Sequence, residues 1–184
     1  MLKIITATLI FLVLITPFSK AQNVIRGHAG LNYSNVSSKN SINPDGILGL
    51  NAGFSYKLHV GDLGWAIITG LDYSQEGFKN QRLGYVNIPL SVGFDFTETF
   101  NLSTGFQYSQ LVGGSNAANE IVYGSNFAFL VTFEFFPTEK FVTGLRFANG
   151  IKNIIKDPDY RIQTASTYSI QFYIGATLFK KTKK

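Results

Sequence analysis

The feature that most constrains the fold is an alternation of apolar and polar side chains that recurs along the chain after residue 21. No segment there keeps the 3.6-residue apolar period of a helix, whereas alternation at every second position is typical of strands with two different faces. The sequence contains eight such runs, at about residues 24–34, 47–58, 65–75, 83–96, 100–110, 126–136, 141–149 and 165–179. The pattern therefore predicts an all-β fold.

The lengths of the runs and of their connections predict how the strands are arranged. Most runs have the roughly 9 to 11 residues that a tilted strand needs to cross a bilayer. Connections 35–46, 111–125 and 150–164 are long, 76–82 is intermediate, and 59–64, 97–99 and 137–140 are short. Long outer loops that alternate with short inner turns on an even number of strands are typical of outer-membrane barrels. We expect an eight-stranded antiparallel up-and-down transmembrane β-barrel with both termini on the periplasmic side.

The N-terminal residues are predicted to be a signal peptide. Lys3 precedes an apolar run from Ile4 to Ile15, Pro17 breaks that run, and Ser19-Lys20-Ala21 forms a small-x-small cleavage site. An uncleaved anchor is the less favoured alternative, because about 20 apolar residues are needed to span a membrane. The chain is thus divided into a signal peptide, 1–21, and an outer-membrane β-barrel domain, 22–184. It contains no cysteine, which excludes a disulfide framework.

Sorting each strand by parity separates an apolar face from a face that is polar or small, and the two could be arranged in two ways. A soluble barrel would place the apolar face inside, whereas a membrane barrel would place it outside. Eight glycines share the parity of the polar residues, and small residues make space for charged ones inside a narrow eight-stranded barrel. We therefore predict that the polar face lines the lumen. These glycines are Gly30, Gly49, Gly53, Gly70, Gly93, Gly105, Gly144 and Gly175.

Aromatic residues gather near the predicted strand ends, which supports the same arrangement. Two aromatic girdles are expected where amphipathic rings meet lipid headgroups. The predicted outer girdle comprises Tyr33, Tyr73, Tyr108 and Tyr168. The predicted periplasmic girdle comprises Trp65, Phe96, Phe100, Phe135 and Phe141.

Three bases and three acids fall on the lumen face, and we predict that they form a structural charge network. They are Arg26, Lys57, Asp72, Asp95, Glu134 and Arg146, with His28 as an additional donor and Glu76 near the outer rim. An interior just wide enough to be filled by side chains favours paired charges. The alternative is a gated proton or ion path, since charged lumens also tune selectivity. Glu134 stands among five phenylalanines in FAFLVTFEFF, residues 127–136, and should meet Arg26, Lys57 or Arg146.

The sequence offers little support for catalysis or for a cofactor. His28 and His59 are its only histidines; parity places the first inside the barrel, and the second is predicted to lie in a periplasmic turn. Neither is placed beside a serine at a lipid-facing rim, as nucleophilic catalysis on a lipid would need. No histidine pair has metal-ligand spacing, and no aromatic-interleaved basic patch suggests nucleic-acid binding. Pro89 is expected to mark a bulge or kink, because proline cannot donate a ladder hydrogen bond.

Four segments resemble the PorT-like small outer-membrane β-barrel family of Gram-negative bacteria, part of the porin-family group of outer-membrane barrel domains. They are AGLNYSN at 29–35, GLDYSQEGFK at 70–79, YVNIPLSVGF at 85–94 and GLRFANGIKNI at 144–154. The resemblance implies an eight-stranded barrel in the outer membrane and little about activity. Barrels of this kind often end on an aromatic residue that the assembly machinery reads, whereas here Phe179 is followed by KKTKK.

Three functional hypotheses follow from the sequence. The first is a non-enzymatic outer-membrane barrel with a filled lumen, acting as a structural or interaction module. The second is a narrow pore for ions or very small solutes, and the third is an exported soluble barrel that binds an apolar ligand. The expected partners are outer-membrane lipid, the barrel assembly machinery during insertion, and a protein or surface ligand at outer loops 35–46 and 111–125.

Overall fold

Eight strands form one closed barrel in the computed structural model, which describes residues 23–38, 45–61, 63–78, 81–114, 124–151 and 165–181. The strands are β1 (Asn23–Ser38), β2 (Ile47–Val60), β3 (Trp65–Phe78), β4 (Gln81–Asp95), β5 (Phe100–Gly114), β6 (Ser125–Thr138), β7 (Phe141–Gly150) and β8 (Ala165–Lys181). Each strand pairs antiparallel with its neighbours along the chain, and β1 closes the barrel against β8. The predicted eight-stranded all-β barrel is confirmed. The predicted signal peptide, 1–21, lies outside the described residues.

The two ends of the barrel differ in their connections. At one end, here called the turn end, strands are joined by residues 61–64, 96–99 and 139–140, and β1 starts and β8 finishes there. At the other end, here called the loop end, they are joined by residues 39–46, 79–80, 115–124 and 151–164. No helix among the described residues is both long enough and apolar enough to cross a membrane.

Several strands are longer than the sequence pattern indicated, because hydrogen-bonded pairing continues past the end of the apolar alternation. The largest difference is between β3 and β4. Residues 76–82 were expected to form a connection of intermediate length, but Glu76 pairs with Leu83 and Phe78 pairs with Gln81, which leaves only 79–80 between the strands. The prediction of an intermediate loop was therefore wrong, and Glu76 belongs to a strand.

Pro89 interrupts one ladder of β4 but does not form a bulge. β3 and β4 pair as far as Thr69 with Leu90, and their pairing resumes at Asp72 with Asn87 in the same register. On the other side, Pro89 stays in register opposite Gln107 of β5. The Thr69 hydroxyl donates to the Pro89 carbonyl at 2.9 Å and so replaces part of the missing ladder. Of the expected bulge or kink, the bulge is therefore wrong, because the register is the same on both sides of Pro89. The kink stays a prediction.

The barrel is apolar outside and polar inside, as the parity argument predicted. None of the predicted girdle residues is buried, and none of the six charged residues predicted for the lumen is exposed. Outward Leu48 is 68% exposed and Phe54 59%, whereas inward Lys57 is 2% exposed and Arg146 6%. Because an eight-stranded barrel is only wide enough for side chains, the inward residues form a packed core in which buried polar side chains outnumber buried hydrophobic ones.

Candidate functional site: the charged lumen

The six charged residues predicted for the lumen point inward and lie at two levels. Lys57 and Asp95 are near the turn end, and Arg26, Asp72, Glu134 and Arg146 occupy the middle of the barrel. Each of these side chains contacts at least one charge of opposite sign. The loop-end half of the lumen is lined by a different set of residues, which is described below.

Glu134 is held by an arginine and a tyrosine. A terminal nitrogen of Arg26 lies 3.4 Å from one carboxylate oxygen, and the Tyr173 hydroxyl donates to the other oxygen at 2.9 Å. All three side chains are buried. Of the three bases that could have met Glu134, the closest contact is with Arg26, which comes from a strand 108 residues away in sequence. The carboxylate is therefore solvated by protein groups across the lumen.

Asp72 forms a second centre at the same depth. Arg146 donates to one of its carboxylate oxygens at 2.6 Å, and a ring nitrogen of His28 lies 3.0 Å from the other. The His28 ring packs against the Tyr173 ring with centroids 4.8 Å apart, and the Arg146 guanidinium lies 5.5 Å from the same ring. Tyr173 thus joins the Glu134 centre to the Asp72 centre, and together they occupy the middle of the lumen.

The turn-end centre is built around Asp95. Lys57 donates to it at 2.5 Å, Asn101 donates to the same oxygen at 2.8 Å, and a ring nitrogen of His59 lies 3.0 Å from the other oxygen. His59 was predicted to lie in a periplasmic turn, and that prediction is wrong: it belongs to β2 and shares the inward parity of Lys57. If the predicted run 47–58 had been extended by two residues, to the end of β2, its alternation would have placed His59 inside the barrel.

An open vestibule leads from the turn end to these charges. Its volume is about 750 Å³, and its lining includes Lys57, His59 and Asp95 together with rim residues of the three turns. Phe136 forms part of its floor, with the Arg26 guanidinium 4.5 Å and the Lys57 ammonium 5.5 Å from the ring centroid. Cations at such distances are attracted by the ring face. The vestibule therefore ends on side chains that are both packed and charge-paired.

Beyond that floor the lumen is nearly filled. The cavity beside His28, Glu134, Arg146 and Tyr173 has a volume of only about 20 Å³. A single water molecule needs roughly 10 to 15 Å³ of space measured in this way. This cavity can therefore hold about one water molecule, which is too little space for a hydrated ion.

Three aromatic residues inside the barrel were not singled out from the sequence. Tyr85 and Tyr173 are almost fully buried, and Phe136 carries the two cation contacts described above. Parity contained the signal, since Tyr173 shares its face with Gln171 and Phe136 shares its face with Glu134. They were missed because aromatic residues in a barrel of this type are expected mainly on the outer face.

Gly144 shows how small residues allow this packing. It lies opposite both Glu134 and Tyr173 in the sheet, and a Cβ atom at this position would overlap the Tyr173 ring. Most of the other inward glycines would likewise place a Cβ against a neighbouring strand's backbone, as Gly105 would against Leu90 and Ser91. The space that Gly144 leaves is the space that the tyrosine ring occupies.

The predicted girdle residues lie outside the lumen, near the ends of the strands. Trp65, Phe96, Phe100, Phe135 and Phe141 are exposed at the turn end. Towards the loop end, Tyr33 and Tyr73 are exposed and Tyr108 and Tyr168 are partly exposed. The turn-end rings also contact one another across strands, with the Phe100 and Phe135 centroids 4.9 Å apart.

Each histidine contacts an aspartate of the lumen. Both ring systems lie against aspartates that also bind a lysine or an arginine. Among the residues that the structure describes, no three His, Cys, Asp or Glu side chains are grouped so that they could hold a metal ion.

Comparisons with known proteins support the fold. No protein-family model matches the chain, and no curated protein matches it. Among solved structures, the attachment invasion locus protein Ail of Yersinia pestis is 13% identical, with a TM-score of 0.51 over 86% of this chain and 99% of that one. Neisserial surface protein A is 9% identical, with a TM-score of 0.50 over 84% of this chain and 97% of that one. At these identities the likeness concerns the barrel alone.

Proposed function

We propose that this chain is an integral outer-membrane β-barrel whose side-chain-filled lumen makes it a structural or interaction module rather than a catalyst. The observation that carries the proposal is the inverted distribution of side chains. Leucine, isoleucine, valine and phenylalanine cover the outside, and charged residues are buried inside. The largest apolar patch of a typical soluble monomer covers only about 300 to 600 Å², whereas here large apolar side chains are exposed on all eight strands.

A closed barrel suits a membrane for a second reason. Every strand has a partner on both sides, so the backbone polar groups of the ladder are satisfied without an exposed edge, as hydrocarbon requires.

The rival hypothesis of a soluble barrel with an apolar ligand in its lumen does not fit, because the interior carries Arg26, Lys57, Asp72 and other polar groups.

The orientation follows from the same proposal. All three turn-end connections are short and both described chain ends lie there, whereas three of the four loop-end connections, all but 79–80, are longer. In outer-membrane barrels the end with the short turns faces the periplasm. The loop end would then face outward, with Tyr33, Tyr73, Tyr108 and Tyr168 at the outer headgroup level and Trp65, Phe96, Phe100, Phe135 and Phe141 at the periplasmic level.

We propose that the barrel assembly machinery inserts the chain. We also propose that a partner binds at outer loops 35–46 and 111–125, most of whose residues lie outside the described part of the structure.

Fractionation of cells that express the chain tests the proposed location. We expect the protein in the outer-membrane fraction, and we expect its folded band to migrate differently from its heated band on a denaturing gel. Recovery of a folded protein from the soluble periplasm would contradict the proposal. The finer assignment to the PorT-like family stays a prediction that this experiment does not address.

A narrow pore is the second candidate, and the vestibule of about 750 Å³ is the observation that favours it. Against it stand the Arg26–Glu134 and Arg146–Asp72 pairs and the cavity of about 20 Å³ between them. Planar-bilayer recordings of the purified barrel distinguish the two candidates. We expect no steady conductance, and a reproducible open channel would contradict the filled lumen and favour the pore.

A further inference from the structure

The loop-end half of the lumen contains a buried carboxylate with no cationic partner among the described residues. Glu76 is 6% exposed, and its hydrogen bond is with the Ser74 hydroxyl, which donates to it at 2.8 Å. The five acidic and basic side chains in the middle of the lumen contact one another. They are Arg26, His28, Asp72, Glu134 and Arg146. An ionised carboxylate that is buried without a counter-charge is costly, so Glu76 is either protonated or compensated by a charge that the network does not supply.

The side chains around Glu76 present further oxygen atoms that lack a partner. Asn51, Ser74 and Tyr85 lie directly opposite one another on β2, β3 and β4, which places their Cβ atoms about 4.5 to 5.5 Å apart from strand to strand. Asn87 donates its amide to the Ser74 hydroxyl at 2.8 Å. We call Asn51, Ser74, Glu76, Tyr85 and Asn87 the outer oxygen cluster.

Each unpartnered group of the outer oxygen cluster is more than nine-tenths buried. The Tyr85 hydroxyl, the Asn87 side-chain carbonyl and both polar atoms of the Asn51 amide make no hydrogen bond. Tyr85 and Asn87 are each 1% exposed and Asn51 is 4% exposed. Buried polar groups are almost always satisfied. Unpartnered polar atoms also occur elsewhere in the lumen, for example at Asn32, Gln107 and Asn126, but in this patch they accompany a carboxylate without a cationic partner, which points to a bound species.

We propose that the outer oxygen cluster binds a monovalent cation, sodium or potassium, through the Glu76 carboxylate and the neighbouring hydroxyl and amide oxygens. Hard cations prefer oxygen ligands, and neutral carbonyl oxygens can replace the hydration shell of an alkali ion. One carboxylate balances one positive charge, whereas calcium sites gather several carboxylates. The alternative is a protonated Glu76 with water completing the hydrogen bonds, because a neutral carboxyl needs no counter-ion. The comparison of sodium with N-methylglucamine below distinguishes the two.

Anomalous diffraction with thallium(I), a heavy substitute for potassium, tests the proposal directly. Crystals of the detergent-purified barrel are soaked in a thallium salt. We expect an anomalous peak within ligand distance of Glu76 in the wild type and in the control Glu98→Gln, which changes an exposed turn carboxylate in the same way. The peak should disappear in Glu76→Gln. A wild type without the peak, or a Glu76→Gln variant that keeps it, would overturn the proposal.

A solution measurement covers the case in which Glu76→Gln does not fold. Tyr85→Phe keeps the ring and removes only the unpartnered hydroxyl, so it should fold and bind thallium several-fold more weakly. For the wild type, the urea midpoint of the folded gel band should be higher in sodium chloride than in N-methylglucamine chloride at equal ionic strength. Equal midpoints in the two salts, together with unchanged thallium occupancy in Tyr85→Phe, would contradict the site. These readouts do not depend on where the barrel resides or whether it conducts.

Discussion

Individual lumen residues carry charges that are tolerable only in pairs. Removing one member of a buried ion pair leaves the other uncompensated, which typically costs about 3 to 5 kcal/mol. Glu134 is such a residue, because it accepts from both Arg26 and Tyr173 in the centre of the barrel. By contrast, Glu139 pairs with Lys180 at the turn end, where its side chain is 83% exposed.

The first prediction compares these two glutamates. Glu134→Gln should lower the free energy of unfolding by about 3 to 5 kcal/mol, because the Arg26 charge stays buried without its counter-charge. Glu139→Gln makes the same chemical change at an exposed pair and should cost less than about 1 kcal/mol. Urea titration of the folded and unfolded gel bands measures both values. Equal effects in the two variants would mean that the lumen pair is effectively solvated.

Parity alone predicted that Glu134 points inward but could not identify its partner. The identity of the partner depends on the stagger of the strands around the closed barrel, which brings β1 across from β6. No single strand encodes this stagger. Arg26, Lys57 and Arg146 all lie on the inward face. Only the register of the strands around the closed barrel shows which of them contacts Glu134.

At the scale of the strands, the period of two determines which positions face outward and therefore which substitutions the barrel tolerates. It predicted the two faces correctly throughout, because every side chain of a strand lies on one side or the other. It predicted strand ends less well. Pairing of β3 with β4 continues through Gln75 and Glu76, where no apolar residue marks the outer face. Hydrogen bonding across strands, rather than hydrophobicity, sets those ends.

The second prediction concerns the outer face of β6. Val131 lies near the middle of this strand and faces outward. Val131→Arg should cost about 2 to 4 kcal/mol, the usual penalty for a charge on the lipid face near the bilayer midplane. Leu63→Arg in the exposed turn 61–64 is the control and should be close to neutral. Urea titration in lipid vesicles measures the difference, and a neutral Val131→Arg would contradict the assignment of lipid and lumen faces.

The third prediction concerns the close approach of β7 and β8. Gly144→Ala places a methyl group where the Tyr173 ring lies, so the ring must move and its bond to Glu134 must weaken. Overpacking of this kind costs about 1 to 3 kcal/mol. Gly113→Ala is the matched control, because a Cβ there meets no atom within 4 Å. Unfolding titrations of both variants should differ by that amount, and indistinguishable curves would show that Tyr173 does not need the space.

For the molecule as a whole, the pairing of β1 with β8 is the decisive contact, since it converts an open sheet into a barrel. This pairing runs from Asn23 with Lys181 to Ser38 with Ala165, with one irregularity between Ile25 and Arg26. It joins the two ends of the described chain, so no local sequence signal reports on it directly. The even number of strands and the layout of the connections predicted it instead.

The fourth prediction tests this closure with a crosslink, for which the absence of native cysteines is an advantage. Ala29 and Ile174 lie opposite each other on β1 and β8 and both face outward. Directly opposed Cα atoms are about 4.5 to 5.5 Å apart, within the range that a disulfide spans. The double variant Ala29→Cys/Ile174→Cys should therefore oxidise in the folded barrel and migrate faster than its reduced form after heating.

The matched control is Ala29→Cys/Phe106→Cys, in which the second cysteine lies on the outer face of β5. It should not form the intramolecular crosslink, because β1 and β5 are not neighbours in the barrel. Crosslinking of the control, or failure of the β1–β8 pair to crosslink under the same oxidant, would contradict the closed topology.

The lumen ion pairs also constrain how such a barrel can assemble. Arg26 meets Glu134 across 108 residues of sequence, and Arg146 meets Asp72 across 74. No single hairpin contains both members of either pair, so a hairpin that entered the bilayer alone would carry bare charges and open edges into hydrocarbon. We therefore expect insertion to be concerted, with the charges neutralised only as the ring of strands comes together. Folding kinetics in vesicles should then show one slow cooperative phase that depends on the complete set of strands.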